Sequence, residues 1–327
     1  MFGVDSLYAL AAGFLIDAAV GDPHALPHPV VLMGKLISAL ETLLRRVFPK
    51  TVRGENAAGG VLWLIVCAVS FLVPTALLML CYHFSRWLGL GVESIMCWQC
   101  LAARSLCRES MKVKTALDSG DLTAARRAVS MIVGRDTASL DAAGIARAAV
   151  ETVAENTSDG VIAPMLFLAV GGGPLGMLYK AVNTMDSMLG YTDEPYKNIG
   201  LVPAKADDVF NFVPARLSAL LLLLAGAFTG FDAKNGWRIF RRDRYKHASP
   251  NSAQTESVMA GLLGLRLAGD ATYHGVLHKK EYIGDPVREI EPIDIRRANV
   301  IMYAAAILSL LVFSGLRLAV LFLIHVV

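Results

Sequence analysis

Glu151, Glu155 and Asp159 recur every four residues at the end of an Ala-rich stretch. On an uninterrupted helix all three carboxylates share one face. No basic residue stands one turn further on to relieve them, so the stacked charge destabilises the helix unless a cation is bound. A hard ion such as Mg²⁺ would do this, because it is held by one or two carboxylates together with substrate phosphates. The bland alternative is a solvated acidic helix end. Asn156-Thr157-Ser158-Asp159-Gly160 reads as such an end followed by a turn, just ahead of an apolar segment.

Other segments supply cations and amides. In Gly134-Arg135-Asp136-Thr137, Gly134 suits a helix C-cap, and Asp136 or Thr137 suits the next N-cap. Capping leaves Arg135 unexplained, and its planar fork matches phosphate or carboxylate. Lys180, Asn183 and Ser187 fall on one helical face with Thr184 beside them; helical Asn, Thr and Ser compete with their own backbone, so this face reads as lining a site. Residues 241–256, RRDRYKHASPNSAQTE, lead Arg244, Lys246 and His247 into a Ser-Pro-Asn turn at Asn251 and then a helix from about Thr255. A basic run beside a membrane usually meets lipid headgroups, but a helix N-terminus also receives anions. Near the start, Pro23, Pro27 and Pro29 stiffen a loop carrying His24 and His28.

The elements that must position these groups are apolar helices. The 327 residues are 55% hydrophobic and only 18% charged, below the roughly 25% charged of soluble domains. The net charge of +3 gives no case for nucleic acid. Five cysteines form no disulfide framework, and the Cys97–Cys100 pair has no second pair to complete a zinc site. Apolar runs cover 2–20, 59–82, 161–179, 212–230 and 299–324. The first is only just long enough to span, and it lacks the basic start and the cleavage site of a secretory signal. The third is broken at Gly171-Gly172-Gly173-Pro174, which suggests a broken or re-entrant helix. Between the runs, 122–133 and 140–156 read as helices, and no strand signal stands out.

The fold class is therefore all-α: a polytopic membrane protein with 4–5 transmembrane or re-entrant helices and a helical membrane-surface region. Residues 1–327 read as one membrane-embedded domain, with helical segments 83–160 and 231–298 on one side. Those two segments carry nine and twelve Lys/Arg against eight in 21–58 and 180–211, so their side should be cytoplasmic. There is no P-loop, Rossmann fingerprint, HExxH or GxSxG. Residue chemistry alone stops at a membrane enzyme that handles phosphate and metal.

Several motifs in order resemble the cobalamin-biosynthesis CobD/CbiB family, the adenosylcobinamide-phosphate (cobinamide) synthases. They are GDPHALPHPVVLMGKLI (21–37), IVGRDT (132–137), ETVAENTSDGVIAP (151–164), YKAVNTMDSMLGY (179–191), DDVFNFVPARLSALL (207–221), DRYKHASPNSAQTESVMAGLLGLRLAG (243–269), Tyr273-His274-Gly275 and Ile283-Gly284. After Asn251 the chain departs from the family pattern, which leaves Glu256 as the equivalent acid. The resemblance implies an ATP- and Mg²⁺-dependent amide ligase of the cytoplasmic membrane, acting on the cytoplasmic side. It would join (R)-1-amino-2-propanol or its O-phosphate to a propionate of adenosylcobyric acid. On that basis Glu155, Asp159 and Asp186 are expected at the metal. Arg135, Lys180, Asn183, Arg244, Lys246 and Asn251 are expected at phosphate or substrate. Glu151, with His28 or His247 as base, is expected at the chemistry. Its partners would be these small molecules and the lipid bilayer; a homo-oligomer or a complex with other enzymes of the pathway stays open. A non-enzymatic membrane sensor and a small transporter using the glycine break remain alternatives.

Overall fold

The computed structural model describes residues 3–23, 26–191, 193–273 and 275–326; His24 and His274 lie outside them. The protein is an all-α polytopic membrane protein. Four helical stretches are long and apolar enough to cross a bilayer: Val52–Phe84, Ala142–Leu189, Leu201–Phe228 and Ile293–Ile324. The first apolar run folds as a 16-residue helix, α1 (Asp5–Val20), and is not among them.

The chain divides into two compact units. The first comprises Met1–Leu101, Pro164–Asn211 and Val312–Val327. After α1 it contains α2 (Pro29–Val47), α3 (Val52–Phe84) and α4 (Arg86–Cys100). Pro29 starts α2 where its missing N–H costs nothing, and His28 Nδ1 accepts from Val30 N at 3.3 Å to cap it. Thr51 caps α3 by accepting from Gly54 N at 3.1 Å. At 33 residues, α3 is about 50 Å long, more than a hydrocarbon core requires. Helices α1 and α4 approach closely at Gly13, where a Cβ would sit 2.6 Å from Cys97 Cβ.

The next helix, α8 (Ala163–Leu189), is broken where the glycines stand. Gly171 and Gly172 leave helical geometry, and Gly172 has φ +64°. The exposed backbone groups are satisfied by buried charge. Glu93 Oε1 accepts from Gly173 N at 3.3 Å, its Oε2 accepts from Tyr82 at 2.7 Å, and Arg317 donates to Ala169 O. Such interruptions persist at membrane depth only where their backbone groups find partners like these.

The second unit comprises Ala102–Ala163 and Phe212–Leu311. It holds α5 (Ala103–Asp118), α6 (Leu122–Ser130), α7 (Ala142–Asn156), α10 (Ala233–Asp243) and α11 (Ser252–Leu263). Parts of α9 (Leu201–Phe228) and α12 (Ile293–Val326) complete it. Helix α9 begins well before its apolar run, because Asp207, Asp208 and Asn211 sit on a helix rather than in a loop. Helices α10 and α11 cross at glycines, with a Cβ on Gly261 only 2.7 Å from Gly236 Cα. Every residue of α11 from Ala253 to Leu263 is buried, so it is a central helix rather than an amphipathic one.

Three expectations change in this unit. Asn156–Gly160 does not end the helix: a π-helical turn over Thr157–Ile162 carries α7 on into α8. Its wider i→i+5 bonding takes Asp159 out of the four-residue register. Asp136 and Thr137 are not the N-cap of α7; Asp141 is, accepting from Gly144 N at 2.7 Å. Short strands also exist: β1 (Leu267–Ala268) pairs with β4 (Tyr282–Ile283), and β2 (Ala271–Tyr273) with β3 (Val276–His278), both antiparallel. Strands of two or three residues are too short for alternation to register in sequence.

Candidate functional site

A cavity of about 210 Å³ lies within the second unit. Its wall includes Arg135, Glu151, Glu155, His247, Glu256 and Lys280. Helix α7 supplies Glu151 and Glu155 one turn apart, and α11 supplies Glu256. Arg135 comes from the loop after α6, and Lys280 from the segment after β3.

Asp136 secures this second side. Its N–H donates to Thr272 O at 2.9 Å, and its carboxylate accepts from Gly275 N at 2.8 Å. The Arg135 loop and the β2–β3 hairpin are thereby fastened together. Lys280 Nζ donates to the Tyr273 hydroxyl at 2.9 Å over the same hairpin.

Glu151 is fully engaged. One oxygen accepts from Arg135 Nη2 at 2.7 Å, and the other from Ala268 N at 2.6 Å. Ala268 has φ +59°, an uncommon conformation for alanine, so Glu151 also holds a strained turn of the wall. Its role is to position Arg135 and β1.

His247 and Glu256 meet at one corner of the cavity. Their nearest atoms, Nδ1 and Oε1, stand 3.6 Å apart, too far for a hydrogen bond. No ion-pair hydrogen bond therefore offsets their burial. Burial, and then Lys280, push the imidazole down to about 4. Burial, and then the Glu155 and Glu151 carboxylates, push the Glu256 carboxyl well above its usual range. Both shifts favour the uncharged forms. His247 Nε2 and Arg135 Nε are buried with no hydrogen-bond partner among the described residues. In a polar cavity such atoms mark the place of a ligand.

The other expected residues are distributed as follows. Lys246 pairs with Asp243 at 3.0 Å and donates to Tyr282 O at 2.9 Å. Burial would raise the Asp243 carboxyl, but Arg242, Gly284 N and Lys246 outweigh it and hold it at about 2. Asn251 accepts from Arg216 at 3.1 Å, and Arg244 stacks over Phe240 and Tyr245. Asp159 lies on the π turn and does not line the cavity.

His28, Lys180, Asn183 and Asp186 belong to the first unit. There His28 caps α2 and stands 3.7 Å from Asp22. Asn183 donates to Asp207 at 3.5 Å, whereas Thr184 and Ser187 bond back to carbonyls of their own helix. Asp186 sits at the end of α8, where its carbonyl accepts from Gly190 N at 2.7 Å. Among the described residues, no three His, Cys, Asp or Glu side chains are grouped to hold a metal alone.

The sequence reading placed Glu256 and Tyr273 only through the resemblance and did not single out Lys280. The signal for Glu256 was Gln-Thr-Glu on a helix that is otherwise Ser, Ala, Val, Met, Gly and Leu.

The model of the CobD/Cbib protein family matches residues 10–302. The chain belongs to the CobD/Cbib family. It is 46% identical over 312 residues to cobalamin biosynthesis protein CobD of Klebsiella pneumoniae, covering 95% of this chain and 98% of that one. It is 44% identical over 300 residues to the CobD of Clostridium perfringens, covering 92% and 94%. Cobalamin biosynthesis protein CbiB of Salmonella typhi is 45% identical over 318 residues, covering 95% and 98%. No solved structure matches the chain. The cavity therefore lies within the part of the chain that this CobD/Cbib family covers.

Proposed function

We propose that this protein acts in cobalamin biosynthesis as an ATP-dependent amide ligase of the cytoplasmic membrane. It joins (R)-1-amino-2-propanol or its O-phosphate to a propionate of adenosylcobyric acid. Support comes from the family and its relatives' names, and from a cavity that offers both cations and carboxylates. The Lys/Arg excess of residues 83–160 and 231–298 supports a cytoplasmic site.

Size orients the assignment. At about 210 Å³ the cavity is below the roughly 300–1,000 Å³ of pockets that enclose drug-sized ligands. It suits the small amine or a phosphoryl group, and the flat corrin would lie outside. Arg135 and Lys280 would face phosphate oxygens. Mg²⁺ fits the donor set, since one carboxylate, Glu155, with phosphate oxygens satisfies it. When bound, the ion would neutralise charge on the transferring phosphate.

The carrying observation is His247 Nε2, buried, without a partner among the described residues and on the cavity wall. The imidazole, kept neutral by burial, would take a proton from the incoming ammonium once ionisation of Glu256 beside it raises its basicity, and the amine would then attack a carboxyl carbon. Glu256 opposite would stabilise the ammonium before that transfer.

Purified protein with adenosylcobyric acid, ATP, Mg²⁺ and each acceptor should give a condensed product by mass. His247→Gln should slow it by about 100-fold or more. Absence of product with both acceptors, or full activity of His247→Gln, would overturn the assignment.

A further inference from the structure

Arg216 on α9 and Arg244 after α10 stand outside the cavity, and among the described residues neither makes a hydrogen bond or ion pair to an acidic side chain. They are held close together. Arg216 donates to Asn251 Oδ1 at 3.1 Å and to Pro250 O at 3.5 Å. The Gln254 amide donates to that same Pro250 carbonyl and to Arg244 O, each at 3.1 Å. The two guanidiniums repel one another. Arg244 Nε is buried and makes no hydrogen bond among the described residues.

Both guanidiniums rest on aromatic faces. Arg216 lies 3.6 Å from the Phe212 ring centroid, and Arg244 lies 5.0 and 4.8 Å from those of Phe240 and Tyr245. Phe212 and Tyr245 are exposed. Arg216 lies near the start of the apolar run of α9, residues 212–230. The pair therefore sits where a membrane helix enters its apolar stretch, flanked by exposed aromatics of the interfacial kind.

A pair of like charges with fixed stems is costly unless an anion joins them. We propose that Arg216 and Arg244 form a binding site for a phosphate oxyanion at the hydrocarbon edge, separate from the carboxylate cavity. The planar forks suit a phosphate gripped from two sides, and the aromatic platforms hold them in place. The same chemistry is offered by an anionic lipid headgroup and by a soluble phosphate. The site does not depend on the ligase reading, since it is measured by binding alone.

The test places the whole protein in nanodiscs. One arm compares retention of phosphatidylglycerol and phosphatidylcholine by native mass spectrometry. The other titrates inorganic pyrophosphate into protein in phosphatidylcholine discs. Saturable binding is expected in at least one arm, and the responding arm names the source. Arg244→Gln should weaken it by about tenfold or more, because a charged hydrogen-bond donor is lost. Arg244 carries no side-chain hydrogen bond that the fold needs, so this variant tests the site without disturbing the turn; Arg216→Gln should act in the same direction. Equal binding by the wild type and Arg244→Gln in both arms, or no saturable binding in either, would overturn the proposal.

Discussion

His247 and Glu256 should give opposite pH dependences of stability, which makes them separable. The buried imidazole titrates near 4 instead of 6.5. Between those values the unfolded chain binds a proton that the folded chain does not, so this group makes stability fall as pH falls from 6.5 toward 4. Glu256 titrates well above its ordinary 4.5. Above 4.5 the folded chain keeps a proton that the unfolded chain has lost, so this group makes stability fall as pH rises. Each slope is at most about 1.4 kcal/mol per pH unit, and the two oppose between 4.5 and 6.5. Where both groups hold their uncharged forms, the two contributions offset one another in the wild type. In metal-free buffer, His247→Gln should remove one and leave a protein that gains stability, relative to wild type, as pH drops from 6.5 to 4.5. Glu256→Gln should leave the other and lose stability over the same window. Denaturant unfolding in detergent at half-unit pH steps reads both. If His247→Gln instead loses stability, and Glu256→Gln instead gains it, relative to wild type as pH drops, the pair is charged rather than neutral, and the reasoning fails.

Arg135→Gln and Glu151→Gln should each destabilise by about 2–3 kcal/mol, since each leaves its buried partner without a charged hydrogen bond. The double variant should cost less than the sum by about 1–2 kcal/mol in the same unfolding assay. Gly172→Ala should lower the melting temperature, because φ is +64° and the new Cβ would lie 2.3 Å from Glu93 Oε1; the strain alone is about 1–2 kcal/mol. Glu155→Gln should abolish most product formation while shifting stability by under about 1 kcal/mol, with mass detection and thermal melting as the two readouts.

Much of this was legible in the sequence, for identifiable reasons. Long apolar runs and the glycine break follow from composition, and α7 from its alanines. Arg135, Glu151, Glu155 and His247 were marked by residue type and all line one cavity. The π turn was not legible, because Asn-Thr-Ser-Asp-Gly is the composition of a turn and only tertiary packing keeps it helical. The role of Asp136 was misread for a related reason. A local cap competes with a distant hairpin for the same carboxylate, and the hairpin at residues 271–278 wins. Lys280 was invisible because an exposed Lys-Lys pair carries no periodic signal until the hairpin folds it over Tyr273.

The charge inventory of the cavity shows why its corner favours uncharged forms and what would change that. Three carboxylates, Glu151, Glu155 and Glu256, face two fixed cations, Arg135 and Lys280. Proton retention by Glu256, the most deeply buried acid of the three, brings the formal sum to zero. Any added cation, whether a divalent ion or an ammonium, favours release of that proton, and the departing charge has an uncharged imidazole 3.6 Å away. Binding of a positive ligand and ionisation of Glu256 are thus linked in both directions. A ligand carrying both an ammonium and a phosphate would meet both halves of the wall, whereas a plain anion would find only Arg135 and Lys280, with three acids working against it. The wall is arranged for a dipolar or metal-paired guest, and that is the kind of guest an amide ligase must gather.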